Sequence, residues 1–215
     1  MKKKIKIAYL LDASNFWIYK YLKNSKLFNS KKTVNRIYKN ANKIKGHDLV
    51  FILNYTRILK NNFLRKNKLN LVVHASDLPK GKGFSPLQWQ VLNNKNKIPL
   101  RLFKAEKAVD SGEVYEKGII NLNGYELYDE LRKKQAIATL KLIERFISKY
   151  PKITGVKQSG KSTFYKRRDL IDSELNINLS IKKNFQNLRI ANNNQWPAYF
   201  IYKNIKYILK IYKGK

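Results

Sequence analysis

The chain contains no cysteine, a single methionine and only two histidines. The absence of cysteine excludes disulfide bonds, a thiolate nucleophile and zinc ribbons. So few histidines also disfavour a metal site built from imidazole ligands, and we expect no metal. Any reaction that the protein catalyses has to use other side chains, or one of its two histidines.

Long apolar runs are missing as well. No stretch approaches the roughly 18 consecutive apolar residues that a membrane span requires. The first residues, MKKKIKIAYLL, differ from a signal peptide, because Lys6 interrupts the short apolar part and Asp12 follows it in place of a small-residue cleavage site. We therefore expect a soluble cytoplasmic protein.

Acidic residues are scarce: 14 Asp and Glu stand against 46 Lys and Arg, which gives a net charge of +32. Such a charge indicates a polyanionic partner, for example a nucleic acid. The lysines are spread along the whole chain and interleaved with asparagine, so compositional bias explains the charge equally well. The same positive field would attract an anionic small-molecule substrate.

Short apolar runs alternate with helical patterns along the first 150 residues. Five runs predict strands: Ile5–Leu11, Leu49–Leu53, and residues 69 to 73, 98 to 103 and 114 to 120. Residues 24 to 46 are polar and ambiguous. This alternation predicts an α/β fold with a Rossmann-like, mainly parallel sheet and flanking helices. Ligands of such folds bind beyond the carboxyl ends of the strands.

Three helices are predicted in the same part of the chain: a stretch with Trp17, Tyr21 and Leu22, then Pro86–Leu92, then residues 125 to 150. Asp12, Ser14 and Asn15 supply cap chemistry for the first helix, and Pro151 ends the third. We expect residues 1 to 150 to form the main domain. Residues 151 to 215 should form a short C-terminal extension, consisting of a polar loop, a helix and a β-hairpin that turns at Lys203 and Asn204.

Residues 155 to 162, GVKQSGKS, match the phosphate-loop pattern GxxxxGKS. That motif binds phosphate only where a buried strand enters the loop and a helix leaves it. Pro151 and Lys152 precede this segment, and TFYKRRD follows it in place of an amphipathic helix. We interpret the segment as a basic surface loop.

His74 stands at the end of a predicted strand, in the sequence HASDLPKGKGFSP, and Asp110 follows in EKAVDSG. Histidine is the side chain whose ordinary titration suits proton transfer at neutral pH. A lone histidine is more often a satisfied core residue, but the loop and the aspartate in this order favour a reactive one. Asp110 would then orient the imidazole and stabilise its charged form.

These segments resemble the folate-dependent formyltransferase family. HASDLP at 74 to 79 is similar to the family's HxSxLP signature, SPLQWQVLNN at 85 to 94 to the helix after it, and VDSGEVY at 109 to 115 to its DxG segment. YTRIL at 55 to 59 resembles the loop that holds the pterin ring in that family. TFYKRR at 163 to 168, followed by Asp172, resembles a segment of the sugar N-formyltransferase branch. The sequence HASDLPKGKGFSP is similar to formyltransferases of pseudaminic-type sugar pathways.

The resemblance implies that residues 1 to 150 are a catalytic domain in which His74 and Asp110 are catalytic. The family's usual Asn two residues before the histidine, an oxyanion donor, is replaced by Val72. Asn54, at the end of the neighbouring strand, is the preferred substitute, whereas Asn70 lies too far back along its strand.

The remaining site residues follow from the same resemblance. The folate-binding residues would be Tyr55, Thr56, Arg57, Ile58, Leu59 and Val109. The substrate-binding residues would be Ser14, Asn15, Ser76, Lys80 and Lys82. Ser14 and Asn15 resemble a pair that holds substrate phosphate, although simple helix capping explains them too.

The resemblance implies transfer of a formyl group from 10-formyltetrahydrofolate to an amine. A nucleotide-linked amino sugar is the preferred acceptor, because the FYKRR segment resembles the sugar branch and only a helix and a hairpin follow the loop at Ser162. Methionyl-tRNA is the alternative enzyme substrate. A basic nucleic-acid-binding protein without catalysis is the alternative of another class. The aromatic hairpin could form a homodimer surface or cover the end of the sheet.

Overall fold

The structure is a computed structural model that describes residues 4 to 13 and 16 to 214. Its strands are β1 Ile5–Leu11, β2 Thr33–Tyr38, β3 Leu49–Leu53, β4 Leu69–His74, β5 Lys82–Gly83, β6 Lys97–Lys104, β7 Val114–Asn121, β8 Phe164–Tyr165, β9 Ala198–Tyr202 and β10 Ile205–Leu209. Its α-helices are α1 Tyr19–Lys23, α2 Asn61–Leu64, α3 Pro86–Leu92, α4 Tyr128–Lys149 and α5 Ile181–Ile190. Two short 3-10 helices are Ala41–Lys43 and Leu170–Ser173.

The central sheet has six strands in the order β2-β1-β3-β4-β6-β7. The first four are parallel, and β6 and β7 extend the sheet in antiparallel pairing. All five residues of β3 are buried, as expected for a central parallel strand with both faces covered. The predicted α/β fold with a mainly parallel sheet is confirmed.

Strand β2 lies within residues 24 to 46, whose polar sequence predicted no clear helix or strand. It pairs only with β1 and forms one edge of the sheet. Its residues TVNRIY alternate between half-buried and exposed along most of the strand, because an edge strand needs a covered face on one side only. A polar edge strand of this kind gives a weak sequence signal.

The first helix is shorter than predicted, and its predicted Asp12 cap is wrong. Helix α1 spans five residues, begins after Ile18 and has no side-chain cap, and Trp17 lies before it. The Asp12 carboxylate instead accepts hydrogen bonds from the backbone amide and the hydroxyl of Thr56. Ser14 and Asn15 lie outside the described residues.

Helix α4 covers one face of the sheet, and its bounds confirm the helix predicted for residues 125 to 150. Leu142, Ile143 and Phe146 of this helix join the larger core cluster, which also contains Leu71 and packs against Val73. A smaller cluster around Val50 and Ile52 covers the opposite face. Because side chains alternate along a strand, Val72 and His74 belong to that opposite face.

The C-terminal part contains the predicted helix and hairpin. Ala198, Phe200 and Leu209 of the hairpin pack with Leu188 of α5, and Lys203 and Asn204 at its turn both have positive φ angles. Helix α5 is joined to the segment between β7 and α4 through Arg189, whose fully buried guanidinium lies 3.1 Å from the Glu126 carboxylate. Within the described residues, no helix is long and apolar enough to cross a membrane.

Replacing Arg189 with leucine should lower the free energy of unfolding by about 3 kcal/mol, because Glu126 then loses a partner in a buried ion pair. The matched control is Lys213→Ala, which breaks an exposed pair with Glu130 and should cost less than about 1 kcal/mol. Urea denaturation of both variants measures the difference. Equal losses would mean that the buried pair does not hold α5 to the segment between β7 and α4.

Candidate active site

His74 is the last residue of β4 and lies at the carboxyl edge of the parallel strands. Only 8% of it is exposed, because the loop that follows folds back over the ring. The imidazole Nε2 lies 2.8 Å from the Gly81 carbonyl oxygen. A carbonyl can only accept a hydrogen bond, so Nε2 carries the proton and Nδ1 keeps a free lone pair in the neutral ring.

Asp110 faces the other ring nitrogen. Its Oδ2 lies 3.8 Å from His74 Nδ1 and accepts a hydrogen bond of 2.9 Å from the Gly83 amide. The neutral Nδ1 and the carboxylate are both acceptors, so a donor between them, or a proton on Nδ1, completes the arrangement. The pair is therefore arranged to receive a proton at Nδ1 and to stabilise the resulting imidazolium.

The backbone around Asp110 is held in an uncommon conformation. Asp110 has a φ of 49°, in the left-handed region. Gln158 Nε2 donates to its carbonyl oxygen at 3.0 Å and to that of Gly112 at 2.8 Å. A side chain at Gly112 would overlap the Lys104 carbonyl, which explains the glycine of the DxG segment.

The loop over His74 is fixed by a segment distant in sequence. Strand β5 pairs in parallel with β8, and the amides of Gly81 and Lys82 donate to the Thr163 side chain and carbonyl at 2.8 Å and 2.9 Å. The Tyr165 ring stacks on Trp89 with centroids 6.4 Å apart, and burial raises the pKa of the Tyr165 phenol, which stays neutral.

The sequence analysis missed three residues that hold the candidate site in place: Gln158, Thr163 and Tyr165. Gln158 belongs to GVKQSGKS, the segment interpreted as a basic surface loop. The next helical element after this segment is the short 3-10 helix Leu170–Ser173, so the loop lacks the helix that a phosphate loop needs. The polar side chain between two glycines was the available signal.

The family's missing oxyanion donor is not replaced at position 72. Val72 is half-buried against Leu78, Phe103 and Val114 and has no polar side-chain atom. Asn54 follows β3 directly, two residues after Ile52, which pairs with Val72, and it has a left-handed φ of 59°. Asn70 is 5% exposed and donates to the Leu64 carbonyl at 2.8 Å, so its amide has a structural partner.

Residues 55 to 59, predicted to bind folate, form a loop after β3 at the same edge of the sheet. The Thr56 amide and hydroxyl hold this loop to Asp12, which is 4% exposed. Tyr55 and Leu59 pack against the smaller core cluster, while Arg57 is exposed and Ile58 is 80% exposed. Val109, next to Asp110, is 52% exposed. The loop is thus anchored and presents an apolar surface.

The residues predicted to bind the acceptor are less concentrated. Ser76 is 2% exposed, and its buried hydroxyl has no hydrogen-bond partner among the described residues. Lys80 is exposed, and Lys82 Nζ lies 5.8 Å from the Phe164 ring centroid. Ser14 and Asn15 are outside the described part of the chain. The structure therefore brings His74 and Asp110 close together, whereas the residues predicted to bind the acceptor do not form one cluster.

Comparison with known proteins identifies relatives of this chain. No protein-family model matches it. The methionyl-tRNA formyltransferase of Rickettsia prowazekii is 28% identical over 170 residues, which are 78% of this chain and 55% of that protein. The chain spans about half the length of the curated relatives it matches.

Two solved structures share the fold. The methionyl-tRNA formyltransferase from Clostridium thermocellum superposes with a TM-score of 0.82 at 20% identity, covering 99% of this chain and 94% of that one. A 4-N formyltransferase from Francisella tularensis superposes with a TM-score of 0.71 at 16% identity, covering 98% of both chains.

The fold and the paired His74 and Asp110 define the class as an α/β protein with a Rossmann-like sheet and a candidate proton-transfer site at its carboxyl edge. The resemblance to the folate-dependent formyltransferase family is confirmed: the chain is related to methionyl-tRNA formyltransferases in sequence and has the formyltransferase fold.

Replacing Gly81 with alanine should destabilise the loop over His74. A Cβ there would lie 2.7 Å from Tyr165 Cε2 and 3.0 Å from Ser76 Cβ. Gly46 is a matched control, because its φ of 71° equals the 72° of Gly81 to within a degree, while its Cβ position is open.

We expect Gly81→Ala to lower the free energy of unfolding by about 1 to 3 kcal/mol more than Gly46→Ala. Urea denaturation followed by tryptophan fluorescence compares the two. If both variants lose the same stability, the contact between the loop and Tyr165 is not tight.

Proposed function

We propose that the protein transfers a formyl group from 10-formyltetrahydrofolate to an amine. The observation that carries this proposal is the orientation of His74, whose Nδ1 faces the Asp110 carboxylate at 3.8 Å while Nε2 donates to Gly81. The attack of a neutral amine on a formyl carbon requires a group that removes the amine proton. His74 Nδ1 is free to do so.

The residues have distinct roles in the proposed reaction. As the amine nitrogen bonds to the formyl carbon, His74 Nδ1 takes the amine proton, and Asp110 stabilises the imidazolium through its charge. His74 then returns the proton to the departing folate nitrogen as the original carbon–nitrogen bond breaks. Asn54 donates to the oxyanion of the tetrahedral intermediate in place of the family's asparagine.

The anchored loop of residues 55 to 59 supports binding of the formyl donor. Its backbone lies outside helices and strands, so its amides and carbonyls form no helix or strand ladder and could pair with a pterin ring. The exposed Ile58 offers an apolar surface to the flat face of the ring. The donor supplies the activated formyl group, and the protein binds and orients it.

We propose a nucleotide-linked amino sugar as the acceptor, with Lys80 and Lys82 near its phosphates and Ser14, Asn15 and Ser76 as further contacts. The similarity of TFYKRR to the sugar branch supports this choice.

Methionyl-tRNA is the second candidate acceptor, favoured by the sequence relatives and by the net charge of +32. The two acceptors differ in the salt dependence of binding. Affinity for tRNA should fall steeply with salt concentration, whereas turnover of a small nucleotide-linked sugar should change far less.

Replacing His74 with alanine should lower kcat for formyl transfer by about 100-fold to 10,000-fold, because the general base is lost. The assay incubates the protein with radiolabelled formyl donor and a panel of amino-sugar nucleotides and methionyl-tRNA. His47→Ala is the control, since the only other histidine of the chain lies before β3, where its Nε2 is 3.3 Å from the Tyr38 hydroxyl. Transfer that survives in the His74 variant would contradict the proposal, as would the absence of transfer to every amine.

Replacing Asn54 with alanine should lower kcat by about 100-fold to 1000-fold, the usual cost of a lost oxyanion donor. Asn70→Ala should affect stability rather than turnover, because the Asn70 amide bonds to the Leu64 carbonyl. Kinetics of the folded fraction of each variant separates the two effects. Equal losses of kcat would exclude Asn54 as the replacement donor.

A further inference from the structure

A cleft lies at the outer edge of the sheet, between the start of β7, the end of α4 and the segment that follows this helix. We refer to it as the β7 cleft. Its volume is about 840 Å³, within the range of about 300 to 1,000 Å³ typical of small-molecule sites. Strand β7 is two strand spacings from β4, roughly 10 Å at about 4.8 Å per spacing, and His74 does not line the cleft. The β7 cleft is therefore separate from the candidate active site.

The lining of the β7 cleft is strongly basic. Its cations are Lys117, Arg145, Lys149 and Lys152, and its one carboxylate is that of Glu116, so four positive charges stand against one negative charge. Lys117 and Lys152 are exposed, and neither forms an ion pair with a residue that the structure describes. This imbalance favours an anionic ligand.

The single carboxylate orders two of the cations. Glu116 is 7% exposed, and its carboxylate lies 3.2 Å from Arg145 Nη2 and 2.6 Å from Lys149 Nζ. The same Arg145 nitrogen also donates to the Lys117 carbonyl oxygen. A guanidinium has five N–H donors, so Nε and Nη1 of Arg145 keep theirs for a ligand. Glu116 thus fixes the positions of both cations without using all of their donors.

Apolar groups form another part of the lining. The Tyr115 ring and the Ile153 side chain are half-buried and pack against the larger core cluster, and Val156 is 65% exposed. Burial raises the pKa of the Tyr115 phenol, so this residue stays neutral and adds no negative charge. A ligand that combines an anion with an apolar group would contact both parts of the lining.

One wall of the β7 cleft leads to the residue that holds Asp110. The Val114 amide donates to the Val156 carbonyl at 2.8 Å, and the Val156 amide donates to the Val114 carbonyl at 2.9 Å. Two residues after Val156, Gln158 Nε2 donates to the Asp110 carbonyl at 3.0 Å. A ligand in contact with Val156 would therefore stabilise the segment that fixes the Asp110 backbone.

We propose that the β7 cleft binds a small phosphate ester with an apolar group, and that this ligand stabilises the segment that orients Asp110. Arginine binds phosphate through its planar fork of donors, and lysine binds it as a point charge. The ligand would act on the candidate active site from outside it. This inference goes beyond the proposed function, because binding in the β7 cleft requires no formyl transfer.

The probe is phenyl phosphate, with inorganic phosphate and phenol as further arms, and NMR titration of the nitrogen-labelled full chain measures binding. Phenyl phosphate should bind about 10-fold more tightly than either, because only it offers both a charge and an apolar ring. It should shift the amide resonances of Lys117 and Val156.

The variant Lys117→Ala/Lys152→Ala should weaken binding of phenyl phosphate by about 10-fold, because two of the four cations are removed. Both lysines are exposed, and urea denaturation should show an unchanged free energy of unfolding. Lys133→Ala is the matched control, because it removes an exposed lysine of α4 that does not line the cleft. It should leave the dissociation constant unchanged.

Hydrogen exchange of the Val114 and Val156 amides measures the effect on the segment. At a phenyl phosphate concentration about ten times the dissociation constant, exchange of both amides should slow by about 10-fold, because opening of the segment would release the ligand. Binding that leaves the exchange rates unchanged would contradict the link to Asp110.

Three further results would overturn the proposal. They are no binding of phenyl phosphate, inorganic phosphate binding as tightly as phenyl phosphate, and a loss of affinity in Lys133→Ala as large as that in the double variant. The last result would mean that the net charge of the surface, and not the β7 cleft, attracts the anion. His74→Ala should leave the affinity unchanged, so a failure of formyl transfer and a failure of this site are distinguishable.

Discussion

The hydrogen bond from His74 Nε2 to the Gly81 carbonyl is the interaction on which the rest of the site depends. It determines which ring nitrogen carries the proton, and therefore which nitrogen faces Asp110. The carbonyl is held in place by the pairing of the loop with Thr163 and Tyr165, 82 residues further along the chain. Because Gly83 also donates to Asp110, the same loop orients both members of the pair.

Sequence patterns predicted the parts of the fold that bury a continuous apolar face. Leu49–Leu53 and α4 were predicted correctly because their apolar residues follow a strong run or a strong period. The edge strand β2 was not, because only one of its faces is covered, and α1 was misjudged because Asp12 bonds to Thr56 instead of capping the helix. His74 and Asp110 were found from short motifs, whereas Gln158 acts through a long-range contact whose only local signal is a polar side chain between two glycines.

The ion pairs show how the structure uses its few carboxylates in a chain with a net charge of +32. The few carboxylates are used to hold particular cations: Glu126 pairs with Arg189 and Lys134, and Glu116 pairs with Arg145 and Lys149. The Glu116 pairs join α4 to β7, and the Glu126 pairs join α5 and α4 to the segment between β7 and α4. Most of the remaining lysines form no ion pair within the described part of the chain, and they create the positive field in which an anionic acceptor would be bound.

The protonation of the His74 ring is the central claim, and nitrogen NMR of the imidazole tests it most directly. The chain has only two histidines, so a His47 variant assigns the resonances without ambiguity. In the neutral ring of His74, the account predicts a proton on Nε2 and an unprotonated Nδ1. A proton on Nδ1 and a bare Nε2 would contradict the hydrogen bond to Gly81 and the role assigned to Nδ1.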